Sequence, residues 1–363
     1  MDNEDADLNV RMRRAGARAG RRVRRALSFL TGLGGGRRCF VAYWEQGGNF
    51  GDDYLSQALT RYLGLAHPEM KVVHTGLDLG GQNPRRGDVV IIAGGGLWGP
   101  SGTQELDHHL YAAWMGLGAP LVLANLGIES FGGRSAEQIR AIAAKAALFS
   151  VRDAQSLAYA EEALGAGAVL WGADTTYLSP VEVQRRPVAG RVGVNLCGPE
   201  VEDHSRDYSL DLVLEGLRAL QAAGHTLHAV AFSHGAAHSD LPHCRRADPD
   251  CPPRFSTGPY QQSEFFVGMR FHSVLLALQN EVPVIAVNYS GKVRRLMREY
   301  DLEDFCLEPD DPTLPGKLAV LAQAVGAAPV AEKMRAGNER AQARLVPFKD
   351  ALGRIIGKAG GDK

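Results

Sequence analysis

The sequence predicts an α/β protein of two Rossmann-like domains facing a cleft, and three observations carry that reading. Short β-rich runs alternate with helix-like stretches, the pattern of parallel strands with helices on both faces. A segment at 179–191, with two prolines and an Arg-Arg pair, splits the alternation into two series. The chain has 363 residues, 45% hydrophobic and 22% charged, enough for two domains with sizeable cores.

In the first series Phe40–Trp44, Val72–His74, Val89–Ala93, Leu121–Leu126, Leu148–Val151 and Val169–Trp171 read as strands. Helix-like segments lie between them at Asp53–Leu63, Glu105–Met115, Ser135–Lys145 and Asp153–Leu164. In the second series Val192–Leu196, Thr226–Phe232, Phe265–Met269 and Val284–Val287 read as strands, and Leu210–Ala223, Ser273–Gln279 and Lys292–Tyr300 as helices. Pro315 to Ile356 is helical with a break near Ala327-Ala328-Pro329. The expected domains are therefore 39–185 and 190–315, followed by C-terminal helices over 316–363.

The formal net charge of −1 argues against a general nucleic-acid binder. Residues 1–38 nevertheless carry ten arginines against four acids, Asp2, Glu4, Asp5 and Asp7. This basic leader is expected to be disordered, with peripheral contact to anionic lipid through residues 11–33 as the sharper alternative. Its apolar stretch is short and broken by glycine, unlike a secretory signal. No run approaches the roughly 20 apolar residues that a spanning helix needs. Cys39, Cys197, Cys244, Cys251 and Cys306 are too scattered for a disulfide framework, so a reducing, cytoplasmic setting is expected.

The densest chemistry lies in Val267-Gly268-Met269-Arg270-Phe271-His272-Ser273, where an apolar strand runs into a helix. In α/β folds ligands bind beyond the carboxyl ends of strands, where helix N-termini favour anions. Arg270 offers a planar donor fork there, and His272 a group that moves protons near pH 7. Arg152 and Asp174 stand at two further strand ends. The first strand runs into Gly47-Gly48-Asn49-Phe50-Gly51-Asp52-Asp53, where Asn49 and Asp52 suit sugar hydroxyls or proton acceptance and Asp53 suits a helix cap. A second glycine loop, Gly94-Gly95-Gly96, is expected after the strand Val89–Ala93. Neither matches a dinucleotide fingerprint or a P-loop, so those readings drop. His234, His238, Asp240, His243, Cys244 and Cys251 include zinc-ligand types, but their spacing fits no standard site, and a solvated loop without metal is expected.

With these residues in hand, the chain resembles the polysaccharide pyruvyl transferase family. The carriers are Gly48-Asn49-Phe50-Gly51-Asp52, Gly94-Gly95-Gly96-Leu97, Val151-Arg152-Asp153-Ala154-Gln155-Ser156 and Asp174, then Gly268-Met269-Arg270-Phe271-His272-Ser273 and Pro283 to Lys292, over roughly residues 40 to 305. The resemblance implies a GT-B-like arrangement of the two domains. It also implies transfer of the pyruvyl unit of phosphoenolpyruvate onto two hydroxyls of a sugar or glycan, a lipid-linked one included. The product is a cyclic ketal, phosphate is released, and no resident cofactor is expected. By that resemblance Arg270, Arg152 and Lys292 bind the donor and His272 is the acid/base. Asp52 assists catalysis, and Asn49, Gly51, Gly95, Gly96 and Asp174 lie toward the acceptor or shape its loops. The stretch between Asp240 and Phe265 and the arginine-rich leader depart from the family pattern. Two rivals remain: a GT-B glycosyltransferase using a nucleotide sugar, and a binding protein that has lost turnover.

Overall fold

The computed structural model describes residues 36–43, 48–98, 108–128, 136–200, 208–234 and 239–359. Residues 1–35 of the leader, with the lipid contact expected through residues 11–33, and Trp44, Gly47 and His238 lie outside the described residues.

The first unit comprises β1 (Arg38–Tyr43), α1 (Phe50–Ala66), β2 (Lys71–Gly76), β3 (Val89–Trp98), α2 (His108–Met115), β4 (Leu121–Ile128), α3 (Ala136–Lys145), β5 (Ala146–Val151), α4 (Ala154–Leu164) and β6 (Leu170–Trp171). Its strands form one parallel sheet in the order β2-β1-β3-β4-β5-β6. Burial on both faces explains the apolar runs. Cys39, Val41, Val89, Ile91 and Val122 join one core, while Phe40, Ala42, Val90, Ile92 and Leu123 join another on the opposite face.

The second unit comprises β7 (Arg191–Asn195), α5 (Asp211–Ala222), β8 (Thr226–Ala229), α6 (Leu241–Ala247), α7 (Gly258–Gln262), β9 (Phe265–Gly268), α8 (Phe271–Gln279), β10 (Val284–Val287), α9 (Gly291–Glu299) and β11 (Cys306–Leu307). Its parallel order, β11-β10-β9-β7-β8, repeats the topology of the first sheet. Each sheet thus reverses its winding at one place, between β1 and β3 and between β7 and β9. Such switch points open a crevice at the strands' carboxyl ends.

Two terminal helices complete the fold, α10 (Leu314–Ala324) and α11 (Ala328–Ala359), bent by 87° at their junction. Helix α11 returns to the first unit rather than extending the second. Gln342 donates to the Tyr177 carbonyl (2.9 Å), and Arg344 lies over the Trp171 ring (4.7 Å). Among the described residues no single helix is long and apolar enough to cross a membrane.

Several local expectations change. Helix α1 starts at Phe50 with Asn49, not Asp53, as its cap; the Asn49 side chain accepts from Gly51 N (2.9 Å). The expected glycine loop at 94–96 is strand, because β3 continues through it to Trp98 with a register irregularity between Gly96 and Trp98. Packing accounts for Gly94, since a side chain there would overlap backbone oxygens of Ala124 and Asn125. The expected loop beyond His234 contains α6, begun by Leu241-Pro242. Finally, Arg38 belongs to β1 rather than the leader, held by a buried pair with Asp88 (Nη2–Oδ2 2.6 Å).

Candidate active site

The two crevices face each other because the loop after β1 plugs into the second unit. Phe50 N donates to Phe232 O (2.7 Å), His234 N donates to Gly48 O (2.6 Å), and Asn49 and Ser233 form an antiparallel bridge. The Phe50 ring stacks on Phe255 at 3.5 Å between centroids. This seat delivers the first turn of α1 to the first turn of α8. Gly51 meets His272 directly, and a Cβ on Gly51 would overlap His272 Nδ1. The glycine is there to make room for the imidazole. Gly51→Ala is therefore expected to cost about 1–3 kcal/mol by overpacking and to displace His272. Urea unfolding checks the first effect and the turnover rate checks the second.

His272, in the first turn of α8, presents Nε2 to Asp174 Oδ2 at 3.6 Å. The same carboxylate oxygen accepts from Arg152 Nη1 (3.3 Å), and its partner Oδ1 accepts from the backbone N–H and hydroxyl of Thr176 (3.0 and 2.9 Å). Burial alone would raise the Asp174 carboxyl, but His272, Arg152 and the Thr176 N–H outweigh it and hold the carboxyl below the usual range. Arg152 also lies over the Phe271 ring (4.2 Å) and near Asp153 (3.6 Å). Gly127 makes room for its guanidinium, for a Cβ there would sit 2.7 Å from Nη2. The sequence-predicted residues Arg152, Asp174 and His272 thus meet, although they come from different sheets.

Because the folded Asp174 carboxyl lies below its unfolded value near 3.9, its ionised form contributes stability above that value, lost as pH falls through the lower folded value. Asp174→Asn is expected to lose about 1.5–3 kcal/mol at neutral pH. The gap from wild type should narrow below about pH 4, which urea unfolding across pH measures.

A narrow pocket opens on this cluster, lined among others by Arg152, Asp174, Phe271, Lys292, Arg295 and Tyr300. Lys292, in the first turn of α9, is buried and 5.7 Å from the Tyr289 ring. Among the described residues the helix has no side-chain cap, and Ser290 Oγ is buried without a hydrogen-bond partner. An uncapped helix start beside a lysine suits an anion. On the pocket's far side burial pushes the Glu299 carboxyl up, against Arg344 at 2.8 Å.

Arg270 is differently placed. It donates from Nε and Nη2 to Asp240 Oδ1 (3.0 and 2.7 Å), and its backbone N–H donates to Asn195 Oδ1 (2.9 Å). Asp240 is fully buried and also accepts from the backbone of Phe232 and Ser233 (both 3.1 Å). Burial opposes the Arg270 charge, but Asp240 overrides it and holds the guanidinium firmly protonated. The arginine expected to grip the donor therefore has an internal counter-ion, and Asp240 is the partner that sequence spacing did not reveal.

Of the remaining predicted residues, Asn49 spends its side-chain oxygen on the α1 cap, and Asp52 lies half-buried in the first turn of that helix. Gly95, with φ 142°, and Gly96 lie in β3, where a Cβ on Gly95 would approach Leu55 at 3.7 Å. Among the described residues no group of three or more His, Cys, Asp or Glu is placed to hold a metal. Cys244 is buried and His243 pairs with Glu200. All five cysteines are free and buried. Thr176, Gln279, Ser290 and Arg295 enter the site unannounced, since each reads as an ordinary helix or turn residue.

Two parallel, identically wound sheets with a candidate site between their carboxyl ends define a GT-B-like α/β fold. A UDP-bound structure of S. aureus MnaA shares this fold at 8% identity, with 82% of this chain and 90% of that one aligned and a TM-score of 0.51. The calicheamicin glycosyltransferase CalG4 aligns at 12% identity over 90% and 100% of the two chains (TM-score 0.47). KP1_0663 of Klebsiella pneumoniae aligns at 12% over 76% and 93% (TM-score 0.45). No curated protein matches the chain. The polysaccharide pyruvyl transferase model matches residues 49–291, about two thirds of the sequence, and the chain belongs to that family.

Proposed function

We propose that the protein transfers the pyruvyl unit of phosphoenolpyruvate onto two hydroxyls of a sugar or glycan, forming a cyclic ketal and releasing phosphate. The observation that carries this reading is the meeting of His272, Asp174 and Arg152 at the facing strand ends of a chain in this family. The donor has two anionic groups and a nucleophilic methylene carbon. Arg152, Lys292 and the uncapped start of α9 supply positive potential for the anions. His272, set beside a carboxylate that stays ionised, delivers a proton to the methylene, which becomes the methyl group. One sugar hydroxyl then bonds to the central carbon and gives up its proton. The second bonds to the same carbon as that carbon's link to the phosphate oxygen breaks; phosphate leaves with the electron pair and takes up the second hydroxyl's proton, while the first hydroxyl's proton restores His272. The acceptor is assigned to Asn49, which caps α1 beside the loop between the units, and to Asp52 in that helix's first turn. The reaction as written draws on no resident cofactor or metal.

A second reading, transfer from a nucleotide sugar, follows from the MnaA likeness in fold. Calorimetry separates the two. Binding of phosphoenolpyruvate that weakens in Arg152→Ala is the expected result. Silence toward it, with a clear signal from one of a panel of nucleotide sugars, would favour the glycosyltransferase.

A further inference from the structure

A single file of hydrogen bonds runs from the linker between the units to the site. Val181 N donates to Tyr54 Oη (2.8 Å), and Tyr54 Oη donates to Gln279 Oε1 (2.7 Å). Gln279 Nε2 donates to Thr176 Oγ1 (2.8 Å), and Thr176 Oγ1 donates to Asp174 Oδ1 (2.9 Å). The other Asp174 oxygen faces His272 Nε2. The direction is forced at both ends: a backbone N–H can only donate, and an ionised carboxylate can only accept. Every donor therefore points toward Asp174, and the dipoles reinforce one another along a file that is half-buried at its outer links and buried at Thr176–Asp174.

Gln279 is the hinge of this file. It lies on α8 two turns beyond His272, so both project toward the first unit. Its carbonyl takes a proton donor from α1, and its amide gives one to the residue that holds Asp174. The same side chain thus fixes how α8 sits against the first unit and where the negative charge opposite His272 lies. We propose that Gln279 is a positioning residue for His272, acting through Thr176 and Asp174. The proposal rests on the pyruvyl-transfer reading only in naming His272 as the acid; the geometry stands apart from it.

Gln279→Met keeps length and shape but neither donates to Thr176 nor accepts from Tyr54. Its kcat is expected to fall about 10- to 100-fold, while the KM for phosphoenolpyruvate changes far less, because Arg152 keeps Asp153 and the Phe271 ring beside it and Lys292 lies off the file. Tyr54→Phe removes only the outer link and is expected to shift kcat the same way by less, which keeps the test open if Gln279→Met folds poorly. The independent readout is the ring-nitrogen spectrum of 15N-histidine-labelled protein, with His272 assigned by its loss in His272→Ala. The Nε2 signal of His272 should move in both variants, while the signals of His225 and His228, remote from the file, stay in place. An unmoved His272 signal overturns the proposal, whether or not kcat or the melting temperature falls. A moved signal in a protein whose wild type does not turn over phosphoenolpyruvate leaves the positioning role intact and removes the reading of function.

Discussion

His272→Ala is expected to lower kcat about 10²–10⁴-fold and leave donor binding in place. The ring is held between Gly51 on one side and the Asp174 carboxylate on the other, and that carboxylate lines the same pocket as Arg152 and Lys292. Removing it leaves Asp174 with Arg152 and the two donors of Thr176, so that charge is not stranded. The loss should therefore fall on proton delivery rather than on folding or anion binding. Steady-state kinetics beside calorimetry decides the matter. An unchanged rate would take the histidine out of the mechanism.

Arg270→Ala should act first on stability. Asp240 is wholly buried, and its strongest partner is the Arg270 guanidinium. Deleting one member of a buried pair strands the other, at a cost of about 3–5 kcal/mol. The damage would spread, because Asp240 also fastens the backbone at Phe232 and Ser233, where the first unit's loop docks. Arg270→Lys should recover part of the loss, keeping the charge but not the two-pronged contact. Urea unfolding gives the numbers, and a variant as stable as wild type would contradict this role. Any weakening of donor binding must then be measured on the folded fraction.

The fold was legible because parallel strands buried on both faces leave apolar runs that alternate with helices, as at Val89–Ala93 and Val284–Val287. Arg152, Asp174 and His272 could be picked out because strand ends are where α/β folds place chemistry, and the structure brings these three together. Contacts distant in sequence were not legible. Arg270 and Asp240 are 30 residues apart, and no local pattern pairs them. At the start of α1, Asn49, Asp52 and Asp53 are all competent caps. Asn49 is selected by the bridge to Ser233, which holds it extended. Strand β8 stops at Ala229 rather than Phe232, because the N–H groups of Phe232 and Ser233 turn to Asp240. Two glycines were opaque for a related reason. Gly51 and Gly127 are spaces for His272 and Arg152, and a space can be read only when its occupant is known.

The most direct test of the account is to incubate the protein with phosphoenolpyruvate and a panel of glycans, measuring released phosphate and the mass of the glycan together. The account predicts equimolar phosphate and a glycan heavier by the mass of pyruvic acid less one water, both lost in His272→Ala. Phosphate without a modified glycan, or a glycan modified only when a nucleotide sugar is supplied, would contradict it.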